Sequence, residues 1–145
     1  MPRCYLLLSC SGSSVDQHSN NVTLFNLVEQ INAPPGAPPP PHGLVPVEIH
    51  AYFHVAQHEF TRDFEVRFVM VAPTGLETPT EPFRHRAVTP RYRTRTFGLP
   101  FPPVAGQYEL RIDIRLAGDE GWRREPIAWP VTIAEQQSPE PRAVH

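Results

Sequence analysis

Hydrophobic and polar residues alternate through residues 44–72, and the rest of the chain is organised around that stretch. Val45, Val47, Ile49, Ala51, Phe53 and Val55 alternate with Glu48, His50, Tyr52 and His54. After a short polar turn, Phe64, Val66, Phe68, Met70 and Ala72 alternate with Glu65 and Arg67, then with Val69 and Val71. A period of two puts one set of side chains on a buried face and the other toward solvent or a second layer. A helix would need apolar positions three and four apart, which this pattern does not supply. Two long strands joined by a turn are predicted.

The flanking segments carry the same code. Residues 4–10 are a compact apolar run, predicting a short buried strand that Ser11-Gly12-Ser13-Ser14 ends. Residues 16–21 are polar and cross the surface, with Asn20-Asn21 suited to a turn because Asn tolerates positive φ. Residues 22–31 predict one strand with both faces semi-buried. A short helix is the alternative there, since Leu24, Leu27, Val28 and Ile31 also fit helical spacing. Residues 33–43 hold too much proline for strand or helix and predict a loop of polyproline II character. Such a loop suits an aromatic-lined groove, but without a basic flanking residue it reads better as a stiff spacer.

Beyond the turn at Pro73-Thr74-Gly75, residues 77–82 are proline-broken. Residues 83–88 and 92–97 predict two short strands, or one interrupted at Pro90, and residues 98–103 a rigid apolar lid on the core. In residues 108–116, Tyr108, Leu110, Ile112, Ile114 and Leu116 face inward, while Glu109, Arg111, Asp113 and Arg115 face water. Ile127, Trp129, Val131 and Ile133 form a last strand, which Pro126 and Pro130 mark as an edge strand or a bulged one. Residues 135–145 predict a disordered tail.

Seven or eight strands without a convincing helix predict an all-β fold. The expected architecture is one antiparallel β-sandwich domain over residues 1–134, immunoglobulin-like or C2-like in general form. The paired cysteines flanking a tryptophan that mark true immunoglobulin domains are missing. The Leu6-Leu7-Leu8 strand, then Asn21-Val22-Thr23-Leu24-Phe25-Asn26-Leu27, then Gly98-Leu99 before Gly106-Gln107-Tyr108-Glu109-Leu110-Arg111-Ile112, resembles a family of small bacterial β-sandwich proteins known only as a domain of unknown function. The resemblance spans most of the chain. It implies a fold and a bacterial source, but no activity and no site residue.

Composition narrows the partners. At 145 residues the chain suits one domain, and its net charge of -2 argues against a generally basic surface that coats nucleic acid. All 13 basic residues are Arg; with 19 Pro, this fits a coding bias such as that of a GC-rich bacterium. Cys4 and Cys10 lie about 20 Å apart on an extended strand, beyond disulfide reach, so two buried thiols in a reducing compartment are expected. The apolar run at residues 5–8 is shorter than the roughly 7–15 residues of a signal peptide. No run approaches the roughly 18 apolar residues of a membrane span. A cytoplasmic location is expected.

Candidate chemistry is sparse. His50, His54 and His58 could hold zinc on a helix, but the metalloprotease motif needs Glu where Val55 stands. On a strand His50 and His54 are about 13 Å apart, too far to share an ion. Surface histidines, no metal and no cofactor are expected. Asp16, His18 and the neighbouring serines sit in one loop and cannot build a triad, there is no Gly-x-Ser-x-Gly elbow, and eight scattered glycines make no P-loop.

One constellation remains: Arg84, Arg86, Arg91, Arg93 and Arg95, with His85 and no acidic residue between Pro82 and Tyr108. Arg91, Arg93 and Arg95 share parity and would form one row. The row could grip an acidic protein surface, a phosphate or a nucleic-acid backbone. Alternatively, Glu109 and Asp113, or Glu65, lie opposite and neutralise it as a charge ladder. The expected function is a non-enzymatic interaction module or accessory subunit whose partner is another protein. Anion or nucleic-acid binding is the second expectation, and an unrecognised hydrolase the third.

Overall fold

A computed structural model describes residues 1–33, 44–100, 102 and 104–135; most of the proline-rich segment and the tail at 136–145 lie outside the described residues. Within them, β-strands alternate with short turns and no α-helix forms. In chain order the strands are β1 (Arg3–Val15), β2 (Val22–Leu27), β3 (Gln30–Ala33), β4 (Leu44–His54) and β5 (Asp63–Val71). They continue as β6 (Glu77–Pro79), β7 (Phe83–Arg86), β8 (Arg91–Pro100), β9 (Gly106–Leu116) and β10 (Arg123–Glu135). A four-stranded sheet runs β2-β1-β4-β8, and a six-stranded one runs β3-β10-β9-β5-β6, with β7 also pairing β5. Two stacked sheets make an all-β sandwich.

The count exceeds eight because residues 77–79 pair with β5, and because residues 22–31 divide into β2 and β3. β2 belongs to one sheet and β3 to the other. Residues 27–29 cross between them, where Val28 N–H donates to the Ser9 carbonyl at 2.8 Å and Thr132 N–H to the Glu29 carbonyl at 2.6 Å. The crossing sets β3 parallel to β10, the one parallel pairing among the described residues. β10 therefore lies inside its sheet rather than at an edge; Pro126 falls within a register shift between Arg124 and Ala128, whereas Pro130 stands in the ladder opposite Glu109. Gly98, Leu99 and Pro100 extend β8 instead of forming a separate lid.

The two central strands are not a hairpin. β4 lies in one sheet and β5 in the other, joined by a 3-10 helix at Gln57–Glu59. Residues 55–62 span the roughly 10 Å between stacked sheets. Alternation specifies which face is buried but not which strand lies alongside, so both arrangements satisfy it. Phe53 and Phe64 meet edge-on across the interface, ring centroids 5.8 Å apart. Ile49, Phe53, Phe64, Phe68, Leu110, Ile112 and Ile114 are all buried in one core cluster. Burying each such side chain contributes about 1.5–3 kcal/mol.

β1 is longer than its apolar run, continuing through the serines to Val15 because β2 pairs with that half. A register shift between Cys4 and Leu6 changes its parity. Cys4 therefore joins the core opposite Phe53, whereas Leu8 and Cys10 lie opposite His50 and Glu48 on the outer face. Both cysteines are free and buried.

Candidate functional site

The outer face of the four-stranded sheet gathers polar residues from β1, β4 and β8. β4 presents Glu48, His50, Tyr52 and His54, and β8 sets Phe97, Arg95, Arg93 and Arg91 opposite them in that order. On the other side of β4, Cys10 stands directly opposite Glu48 and Leu8 opposite His50.

The β1–β2 hairpin folds over this face. Its ladder skips Ser11 and Asn26, and Asn26 takes a φ of 51°. Ser13, Val15 and Val22 then face His50, Tyr52, Arg93 and Arg95 across a groove of ≈ 290 Å³. Asn20, in the hairpin turn, closes it by accepting from Arg93 Nη2 at 2.9 Å.

His50 lines the groove, its Nε2 lies 2.9 Å from Glu48 Oε2, and Cys10 Sγ lies 3.9 Å from the same oxygen. Arg95 Nη1 approaches the other oxygen, Oε1, at 3.6 Å. Burial alone would raise the Glu48 carboxyl, but hydrogen bonds from His50 and Ser13 and the Arg95 charge hold it below the usual carboxylate range. Burial pushes the Cys10 thiol up, the Gly12 carbonyl opposes this and Glu48 adds to it. Cys10 and His50 thus both face the Glu48 carboxylate, which lies between them.

His50 is only 3% exposed, which corrects the expectation of a solvated strand histidine. The hairpin and the neighbouring side chains cover it, an event far away in sequence. His54 is exposed and stacks on Tyr5 at 4.3 Å, while His58 lies exposed in the 3-10 helix, so the three histidines do not converge.

The five arginines are divided. Arg91, Arg93 and Arg95 form one outward row on β8. Arg93 also lies over the Tyr52 ring at 5.9 Å. Arg84 and Arg86 belong to β7 in the other sheet and share Asp63, at 3.7 and 2.6 Å. The Arg86 hydrogen bond holds the Asp63 carboxyl below its ordinary range. Glu65, Asp113 and Glu109 do not neutralise the β8 row, because they stand on the six-stranded sheet. There Glu65 pairs Arg115 at 2.6 Å, Asp113 pairs Arg67 and Arg124 at 3.0 and 2.8 Å, and Glu109 pairs Arg111 at 3.3 Å. Asp113 is 2% exposed, not solvated as its outward parity suggested.

β8 is also an edge strand, and among the described residues nothing pairs with its free side. Beside that edge is a depression of ≈ 480 Å³ lined by Phe83, His85, Tyr92 and residues 93–97. Phe83 and Phe97 are exposed there. His85 Nδ1 lies 3.2 Å from the Tyr92 hydroxyl, bringing β7 against β8.

Cys10 is the residue that sequence reasoning left out of this site. The spacing Glu48-x-His50 signals a shared strand face, but nothing in the chain places Cys10 opposite them. No protein-family model matches the chain, and no curated protein matches it. Among the described residues no helix is long and apolar enough to cross a membrane.

Proposed function

We propose that this protein is a non-enzymatic interaction module that takes an extended, acidic segment of a partner protein along β8. The observation that carries this reading is the edge of β8, which has no partner strand among the described residues and sets a row of arginines and exposed Phe97 beside the exposed Phe83 of β7. An edge strand offers its N–H and C=O groups to an added strand, and pockets for alternate side chains supply selectivity. A second copy of β8 would bring arginine against arginine, so the charge favours an acidic partner over self-pairing. With Arg84 and Arg86 paired to Asp63 and Arg95 facing Glu48, Arg91 and Arg93 are the cations of the row that meet no carboxylate among the described residues, which favours a short acidic peptide over a nucleic-acid backbone.

The test is titration of a labelled peptide of alternating Glu and Val against the whole protein, with a Lys-for-Glu peptide as control. Saturable binding should weaken between about 50 and 200 mM salt, because exposed charge pairs are screened. It should also be lost in Arg91→Glu/Arg95→Glu. Equal binding of the two peptides, or none of either, would end this reading, and preference for single-stranded DNA of the same charge would replace it with nucleic-acid binding.

A further inference from the structure

We infer that Cys10, Glu48 and His50 form a binding site for a zinc-class divalent cation. One ligand atom from each, Sγ, a carboxylate oxygen and a ring nitrogen, lies within 4.8 Å of the others, and all three residues are buried. Tetrahedral zinc with bonds of about 2.0–2.3 Å requires ligand atoms roughly 3.3–3.8 Å apart. The Glu48 Oε2 distances of 2.9 Å to His50 and 3.9 Å to Cys10 bracket that range. Only a small side-chain adjustment separates the present geometry from coordination.

The donor set selects the ion. One sulfur, one imidazole nitrogen and one carboxylate suit zinc and its neighbours, whereas magnesium and calcium require oxygen ligands throughout. Cys10 binds as thiolate, its proton passing to solvent, so thiolate and carboxylate together balance the divalent charge. The Glu48 carboxylate is shared: Oε2 faces Cys10 and His50, while Oε1 faces Arg95. Arg95 thus acts as an outer partner that orients the carboxylate without occupying the ligand position. Three protein ligands leave a fourth position, and His50 lines the groove, so water or a small donor would reach the ion from there. The rigid scaffold supports this arrangement, since β1 and β4 hold Cys10 and Glu48 in register through paired backbone.

This inference stands apart from the peptide reading, and its test involves no peptide. Whole protein stripped of metal by chelator dialysis is titrated with Co²⁺ alone. One equivalent should produce a thiolate-to-cobalt charge-transfer absorption with tetrahedral d–d bands, and one equivalent of Zn²⁺ should displace it. Cys10→Ser should abolish the charge-transfer band, while Cys4→Ser, a change in the other buried thiol, should retain it. His50→Gln should weaken zinc binding beyond the roughly 10–100-fold typical of outer-shell partners, and Arg95→Ala by about tenfold. A wild-type protein without a sulfur-to-cobalt band, or a band that vanishes in Cys4→Ser instead, overturns the site. The wild-type spectrum decides the matter even where a variant fails to fold.

Discussion

The two outer faces of this sandwich follow the same alternating code and reach opposite results. On the six-stranded sheet each outward arginine meets a carboxylate: Glu65 with Arg115, and Arg67 with Asp113, which also holds Arg124. Arg124 in turn grips Glu77, and Trp122 lies beneath the Arg67 and Arg115 guanidinium groups at 4.5 and 4.1 Å. That face is electrostatically closed. On the four-stranded sheet the row on β8 has one sign, Arg95 shares the Glu48 carboxylate with His50, and a hairpin covers part of the row. Charge on the first face is matched within the fold, whereas on the second Arg91 and Arg93 meet no carboxylate among the described residues.

The largest effect that sharpens this contrast is Asp113→Ala. It removes the buried carboxylate shared by Arg67 and Arg124 and should cost about 3 kcal/mol, read as a lowered urea midpoint. Cobalt and peptide binding should be unchanged. A loss of binding without loss of stability would reverse the roles of the two faces. Next comes Trp122→Ala, which deletes two cation–π contacts and should cost about 1–2 kcal/mol by thermal unfolding, again sparing both binding readouts.

The smallest effect lies where the faces meet. Burial lowers the pKa of His85, which sits against Tyr92 and Phe64. Its unfolded value is near 6.5, so above that pH both states are neutral and the contribution is fully present. As pH falls through that value toward the lowered native one, the unfolded state takes the proton first and stability declines. His85→Phe should therefore flatten the stability profile just below pH 6.5, above the range in which carboxylates titrate. Urea midpoints of the two proteins at successive pH values measure this, and parallel profiles would assign the slope to other groups.

The core was largely legible in the sequence. Val45 to Phe53, Phe64 to Met70 and Tyr108 to Ile114 bury the alternate residues that their pattern selects. The site was legible only in fragments. The row of Arg91, Arg93 and Arg95 follows from parity on a single strand, and so does the shared face of Glu48 and His50. Arg84 and Arg86 looked like part of the same patch, yet the chain crosses from one sheet to the other after β7. Their charge is spent on Asp63, which sequence distance does not bring near.

What the sequence by itself determined is the sandwich and its buried faces, because a period of two is a local property of each strand and requires no knowledge of its neighbours. Only the tertiary structure decided which strands are neighbours. It separated β4 from β5, split residues 22–31 between sheets, flipped β1 at its irregularity near Cys4 and brought Cys10 to Glu48 and His50. Register and sheet membership depend on contacts far apart in the chain, where loop closure and packing compete, and alternation is satisfied equally by several outcomes. The chemistry of this protein lies in those non-local choices.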